Sequence, residues 1–234
     1  MNYSTLLFDL DDTLLDFKAA EDQALQKLFA QLNMTLTPEI EKYYKTMNHK
    51  LWADYEQGKL SRQEVTNGRF QKLFATLGKD VDGPALDQNY RHYLTQGHQL
   101  LGNSRRIIAD LANKADLYVV TNGVSETQYK RLEDAKLLPY FKDIFVSEDT
   151  GYQKPMSEYF DYVARRIPHF VAQKALVIGD SLTSDIKGAN NAGLDSVWLN
   201  PEAKQLLPDI KPTYEVKVLD QLYPILGASF NEKA

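Results

Sequence analysis

The sequence predicts an α/β fold, a parallel sheet flanked by helices, with a helical insertion directly after the first strand. Three observations predict it. Five short apolar segments bounded by polar turns read as buried parallel strands: TLLFDLD, LYVVTNG, DIFVSED, ALVIGDS and SVWLN. Helix-like stretches alternate with the later four. Between the first segment and the second, almost everything has helical spacing instead.

The elements follow in order. TLLFDLD opens the sheet. FKAAEDQALQKLFAQLN then places apolar residues at helical intervals. Thr37 and Pro38 mark the next start, threonine as N-cap and proline at the first helical position, and that helix runs to about Gly58. Ser61 and Glu64 fit a capping box for a third helix that runs towards Gly78. A fourth spans about Leu86 to Gln96. Four helices with one apolar stripe each bury those stripes by packing as a bundle. Residues 17–99 are therefore read as an inserted four-helix cap domain, and residues 1–16 with 100–234 as a Rossmann-like parallel sheet core. Helices ETQYKRLEDAKLL, SEYFDYVARRI and SDIKGANNAG separate the later strands. TYEVKVL adds an edge strand, and the terminal ASFNEKA is expected to fray.

Composition narrows the function. At 234 residues and 43% hydrophobic, the chain can bury one large core or a core plus a smaller unit. A net charge of −5 argues against a general nucleic-acid binder. The absence of cysteine excludes disulfides and thiolate chemistry. With no signal-peptide pattern and no apolar run of membrane-spanning length, a cytoplasmic protein is expected. The oligomeric state, monomer or homodimer, stays open.

In open parallel sheets, ligands bind at the carboxyl ends of the strands. Here those ends carry Asp9 and Asp11, then Thr121, Asn122 and Gly123, then Lys154 of GYQKP, then Asp180 with Asp185. Carboxylates gathered at one edge disfavour joint ionisation, and a divalent cation removes that conflict. Mg²⁺ takes oxygen ligands and typically only one or two carboxylates. Asp9 and Asp180 are its natural carboxylate ligands, with a backbone carbonyl near Asp11 as a third. A phosphoryl group accounts for the rest, because its oxygens need donors opposite the cation. The Thr121 hydroxyl, the backbone N–H groups of Asn122 and Gly123 and the Lys154 ammonium offer them. One carboxylate then attacks phosphorus while a second, protonated, serves the leaving oxygen, and Asp9 and Asp11 fit these tasks.

FDLDDTL, VVTNG, QKP and GDSLTSD, in this order from Phe8 to Asp185, resemble the four-motif signature of the haloacid dehalogenase-like hydrolases. The resemblance implies Asp9 as nucleophile and metal ligand, Asp11 as general acid and base, and Thr121 as phosphoryl binder. It further implies that Lys154 steadies the charges, that Asp180 binds Mg²⁺ and that Asp185 orients the metal's water shell. Thr13 is expected to support the loop by hydrogen bonding. Asp12 stands where many relatives have glycine. The segments LDDTLLDF, LWADYEQG, TNGVSETQYKRL, SEDTGYQKP and GDSLTSDIKGANNAGLDSVWLNP look like the nucleotidase branch, whose members hydrolyse nucleoside 5′-monophosphates, often pyrimidine ones. The implied partner is a small phosphorylated metabolite, with neither nucleic-acid polymer nor membrane.

Among cap aromatics, spacing assigns Tyr43, Tyr44, Trp52 and Tyr55 mostly to packing, with Trp52 and Tyr55 as candidates for facing substrate. His49, His92, His98 and His169 form no ligand pattern, and Arg105-Arg106 and Arg165-Arg166 read as solvated faces. Four alternatives stay open. The first is a phosphatase of sugar phosphates or phosphoglycolate. A phosphomutase would need a long-lived phosphoenzyme. A haloacid dehalogenase would leave Asp11, Asp180 and Asp185 superfluous. A non-catalytic protein would bind phosphorylated metabolites without turnover.

Overall fold

The computed structural model describes residues 1–229, so the last part of the ASFNEKA tail, residues 230–234, lies outside the described residues. Six strands form one sheet: β1 (Thr5–Phe8), β2 (Asp116–Thr121), β3 (Asp143–Val146), β4 (Ala175–Gly179), β5 (Asp195–Leu199) and β6 (Tyr214–Val216). Their order is β3-β2-β1-β4-β5-β6, and every pair is parallel. The TYEVKVL segment supplies the β6 edge strand.

The helices are α1 (Phe17–Gln31), α2 (Pro38–Glu56), α3 (Arg62–Thr76), α4 (Gly83–Leu94), α5 (Ser104–Leu111), α6 (Ser125–Asp134), α7 (Ser147–Thr150), α8 (Ser157–Arg166), α9 (Lys187–Asn191) and α10 (Leu222–Leu226). A π-helical turn, Leu182–Ile186, leads into α9. The chain divides into two compact units, Met1–Asp16 with His98–Ala234, and Phe17–Gly97.

In the sheet unit, β1 and β4 are buried at every residue. Both faces of these central strands are covered by helices, so apolar runs replace the alternation of a one-sided sheet. Leu6, Phe8, Leu117, Val119, Leu176 and Ile178 join one core, and Leu7, Tyr118, Val120 and Val177 the opposite one. Register fixes the site. Phe8 pairs with both Val119 and Ile178, and the Asp9 N–H donates to Ile178 O at 2.8 Å. The ends of β1, β2 and β4 thus finish level, and the residues that follow them lie side by side.

The chain leaves and re-enters this unit at adjoining points. Asp16 N–H bonds Gln99 O at 2.9 Å, Leu101 N–H bonds Leu14 O at 2.9 Å, and the Ser104 hydroxyl donates to the same carbonyl at 2.8 Å.

The helical unit is built from α1 to α4. Thr37 caps α2, accepting from Ile40 N–H, and Ser61 and Glu64 form the reciprocal capping box of α3. Gly58 and Gly78 follow α2 and α3 with φ of +70° and +67°, a conformation glycine adopts without penalty. α4 begins at Gly83, ahead of the predicted Leu86, because Asp82 accepts from Ala85 N–H at 3.0 Å and Pro84 suits the first turn. Phe29 stacks on Phe74, and Tyr44 stacks on Phe70 at 5.4 Å. A polar cluster is buried with them: Arg69 pairs with Asp87, and Asn48 donates to Glu21 Oε1 at 3.0 Å.

Candidate active site

Asp9 and Lys154 meet at the carboxyl ends of the central strands. Asp9 is 7% and Lys154 1% exposed, so each charge has lost its water and needs a partner. The Lys154 ammonium has three donors. It donates to Asp9 Oδ1 at 2.7 Å, Asp185 Oδ1 at 2.6 Å and Val120 O at 2.8 Å. All three are therefore committed to protein acceptors. Lys154 holds Asp9 and Asp185 in place and fixes how the Asp9 carboxylate is turned.

The loop that brings Lys154 here is tied by Asn122. Its side chain accepts from Lys154 N–H and donates to Lys154 O, both at 2.9 Å. Asn122 Nδ2 also reaches Ser184 Oγ at 3.3 Å, linking this loop to the turn that carries Asp185. The Asn122 side chain thus braces the loop.

Asp185 lies in the π-helical turn, and its Oδ2 accepts from Ser181 N–H at 3.1 Å. Its approach requires Gly179, since a Cβ there would collide with the Asp185 carboxylate. Asp180 is partly exposed, and its backbone carbonyl is held by the Trp198 indole N–H at 2.8 Å. Ligand oxygens of Asp9, Asp180 and Asp185 all lie within 4.8 Å of one another.

The electrostatics follow from three carboxylates sharing one ammonium. Burial, opposed by Lys154 and reinforced by the charges of Asp185 and Asp11, pushes the Asp9 carboxyl up to about 8. Burial and the charges of Asp9 and Asp185 likewise raise Asp180 well above the usual carboxylate range. Burial alone would lower Lys154, but the charges of Asp185 and Asp9 outweigh it and hold the ammonium protonated. The cluster is short of positive charge.

A divalent cation fits these residues. The donors are all hard oxygens, suited to Mg²⁺. Both oxygens of Asp185 accept from the protein, whereas Asp9 Oδ2 and the Asp180 carboxylate make no hydrogen bond among the described residues.

Around Asp9 the chain turns sharply. Asp12 takes a φ of +53°, a conformation that aspartate tolerates better than most residues. Thr13 does not make the expected hydrogen bond. It is fully buried and its Oγ1 has no partner among the described residues. The backbone closes the loop instead, with Leu14 and Leu15 N–H groups bonding Leu10 O at 2.9 and 3.0 Å and Asp12 N–H bonding Leu15 O at 2.8 Å.

Thr121, 1% exposed at the end of β2, presents its hydroxyl to α6. Gln128 Nε2 donates to Thr121 Oγ1 at 2.8 Å and to Asp11 Oδ2 at 2.8 Å. Arg131, fully buried, pairs with Asp11 Oδ1 and donates to Gln128 Oε1 at 3.2 Å. The sequence gives neither residue a role. The available signal is their spacing of three on a helix that directly follows TNG, which places both on the face of Thr127 and Leu132.

In the helical unit, Tyr55 is buried with Leu51 and Val65. Trp52 is half-buried, edge-on to Tyr55 at 5.6 Å. Tyr43 is exposed and Tyr44 is fully buried. All four histidines and both arginine pairs are exposed.

The haloacid dehalogenase-like hydrolase family matches residues 6–199. The chain belongs to that family. Among solved structures, the HAD-hydrolase YfnB of Bacillus subtilis bound to magnesium superposes with a TM-score of 0.92, at 55% identity over 97% of this chain and 99% of that one. The pyrimidine 5′-nucleotidase PynA of Streptococcus pneumoniae is 42% identical over 100% of this chain and 99% of its own length. The pyrimidine 5′-nucleotidase YjjG of Escherichia coli is 30% identical over 97% of this chain and 99% of its own. Family and relatives together make this chain an enzyme, a phosphoric monoester hydrolase. Among the described residues, no helix is long and apolar enough to cross a membrane.

Proposed function

We propose that this enzyme is a Mg²⁺-dependent phosphomonoesterase that forms an aspartyl-phosphate on Asp9, and that pyrimidine nucleoside 5′-monophosphates are its substrates. One observation carries the chemistry: a buried Asp9 held by a lysine whose donors are all committed, beside Asp180 and Asp185 and within reach of a second carboxylate. The substrate class is supported by the full-length similarity to PynA and YjjG.

The Asp9 carboxylate attacks phosphorus and the bond to the ester oxygen breaks. Asp11, protonated, gives its proton to that leaving oxygen. Water then attacks the phosphorus of the aspartyl-phosphate, Asp11 takes its proton, and the bond to Asp9 breaks to release phosphate. Asp9, Asp180 and the backbone carbonyl of Asp11 would hold Mg²⁺, and Asp185 would orient its water shell. Bound there, the cation supplies charge neutralisation for the phosphoryl oxygens. The Thr121 hydroxyl would donate to the same group, whereas the Gly123 N–H, expected there too, donates to Thr121 Oγ1 at 3.3 Å. We read the helical unit as the cap; of its two candidate substrate-facing rings, Trp52 is half-buried and Tyr55 is buried.

Phosphate release from nucleoside monophosphates, sugar phosphates and phosphoglycolate, with Mg²⁺ and with EDTA, tests this reading. Pyrimidine nucleotides should lead and EDTA should abolish release. Preference for a sugar phosphate would overturn the substrate class, and turnover by Asp9→Asn would overturn the mechanism.

A further inference from the structure

Burying a guanidinium is costly unless it is paired and hydrogen-bonded, so a fully buried Arg131 on α6 needs a reason. The structure supplies one. Arg131 grips one oxygen of Asp11 and Gln128 grips the other, while Arg131 also steadies the Gln128 carbonyl at 3.2 Å. The amide orientation is consistent throughout, its nitrogen between two acceptors and its oxygen towards the guanidinium.

Given the phosphatase reading above, on which this step rests, we infer that Gln128 and Arg131 are positioning residues that fix the Asp11 carboxylate for proton transfer and lock it to Thr121. A carboxylate held at one oxygen can still rotate. Held at both from a single helix face, its plane is set. Asp11 nevertheless stays partly exposed, so a clasped oxygen remains open to a leaving group or a water.

Gln128 does a second thing. The Thr121 hydroxyl accepts from Gln128 Nε2 at 2.8 Å and from Gly123 N–H at 3.3 Å. With its acceptor sites engaged, the Thr121 proton is free to donate to a phosphoryl oxygen. One amide thereby sets both the proton-transfer carboxylate and the phosphoryl-binding hydroxyl. The glycine at position 123 makes room for it, since a Cβ there would come to 2.5 Å from Gln128 Nε2.

The leaving group separates this role from a merely structural one. A nucleoside 5′-oxygen needs a proton as it departs, whereas p-nitrophenolate does not. The value of kcat/KM, which reports steps up to leaving-group release, is measured for uridine 5′-monophosphate and p-nitrophenyl phosphate with Mg²⁺. The variants are Gln128→Met, Arg131→Met and Arg131→Lys, with Asp11→Asn as reference and thermal melting as the fold control. Loss of positioning should lower the nucleotide value by about 100-fold while largely sparing p-nitrophenyl phosphate. Arg131→Lys should recover part of the loss, and Arg131→Met should add nothing once Asp11→Asn is present, whereas Gln128→Met should keep there only the smaller part that acts through Thr121. Should Arg131→Met fail to fold, Gln128→Met and Arg131→Lys carry the test.

Equal losses on both substrates, or an undiminished loss in the Asp11→Asn background, would overturn the inference. So would a gain in activity, which would mean that the clasp holds Asp11 out of use. If Asp11→Asn itself shows no leaving-group dependence, the underlying mechanism fails instead.

Discussion

Glu21→Gln should stabilise the helical unit, and only at neutral pH and above. Glu21 lies on α1, 7% exposed, with Asn48 Nδ2 donating to its Oε1 at 3.0 Å. Burial pushes its carboxyl from the ordinary 4.5 up to about 7, although the Asn48 hydrogen bond and the charges of Arg69 and Lys45 pull the other way. A folded-state value above the unfolded one means that the folded protein holds the proton more tightly. This contribution is therefore fully present below pH 4.5 and is lost as pH rises through about 7. At 1.36 kcal/mol per pH unit, the gap amounts to about 3 kcal/mol above pH 7. Glutamine keeps the acceptor for Asn48 and removes the charge. Its new donor enters a cluster where Asn48 Oδ1 has no partner among the described residues. Urea unfolding of both proteins from about pH 5 to about pH 8 should show wild-type stability falling relative to a flatter Glu21→Gln curve. A pH-independent difference, or a variant less stable at pH 8, would refute the reasoning.

Two further outcomes follow from the sheet unit. Lys154→Met leaves Asp9 and Asp185 buried without their ammonium, so it should abolish activity and cost about 3–5 kcal/mol near neutral pH. Because burial raises Asp9, the stability loss should shrink in acid, as urea midpoints at two pH values would show. Adding Mg²⁺ at about 100 times its dissociation constant should stabilise the wild type by about 2.7 kcal/mol, read as a rise in melting temperature. Asp180→Asn should lose most of that rise.

The sheet was legible because buried parallel strands are apolar runs with polar ends, and β1 and β4 are buried at every residue. Parallel register then turns motif order into neighbourhood, which is why Asp9, Thr121 and Asp180 could be expected at one edge before any coordinates. The buried polar clusters that pattern reading missed share one physical cause. A polar side chain on a helix is taken as solvated, and burial of a paired charge leaves no trace in periodicity. Arg131 and Gln128 on α6 escaped notice for this reason, as did Glu21, Asn48, Arg69 and Asp87 in the helical unit. Thr13 failed differently: backbone hydrogen bonds already closed its loop. The start of α4 was misplaced because its cap, Asp82, precedes the first apolar residue.

The central claim is that Asp9 carries the phosphoryl group. Acid-quenched enzyme, turning over p-nitrophenyl phosphate with Mg²⁺ so that formation needs no proton from Asp11, can be digested and weighed, using the wild type, Asp9→Asn and Asp11→Asn. One added phosphoryl group on the peptide containing Asp9, enriched in Asp11→Asn and absent from Asp9→Asn, is the result expected. Turnover without that adduct in any of the three, persisting in Asp9→Asn, would contradict it.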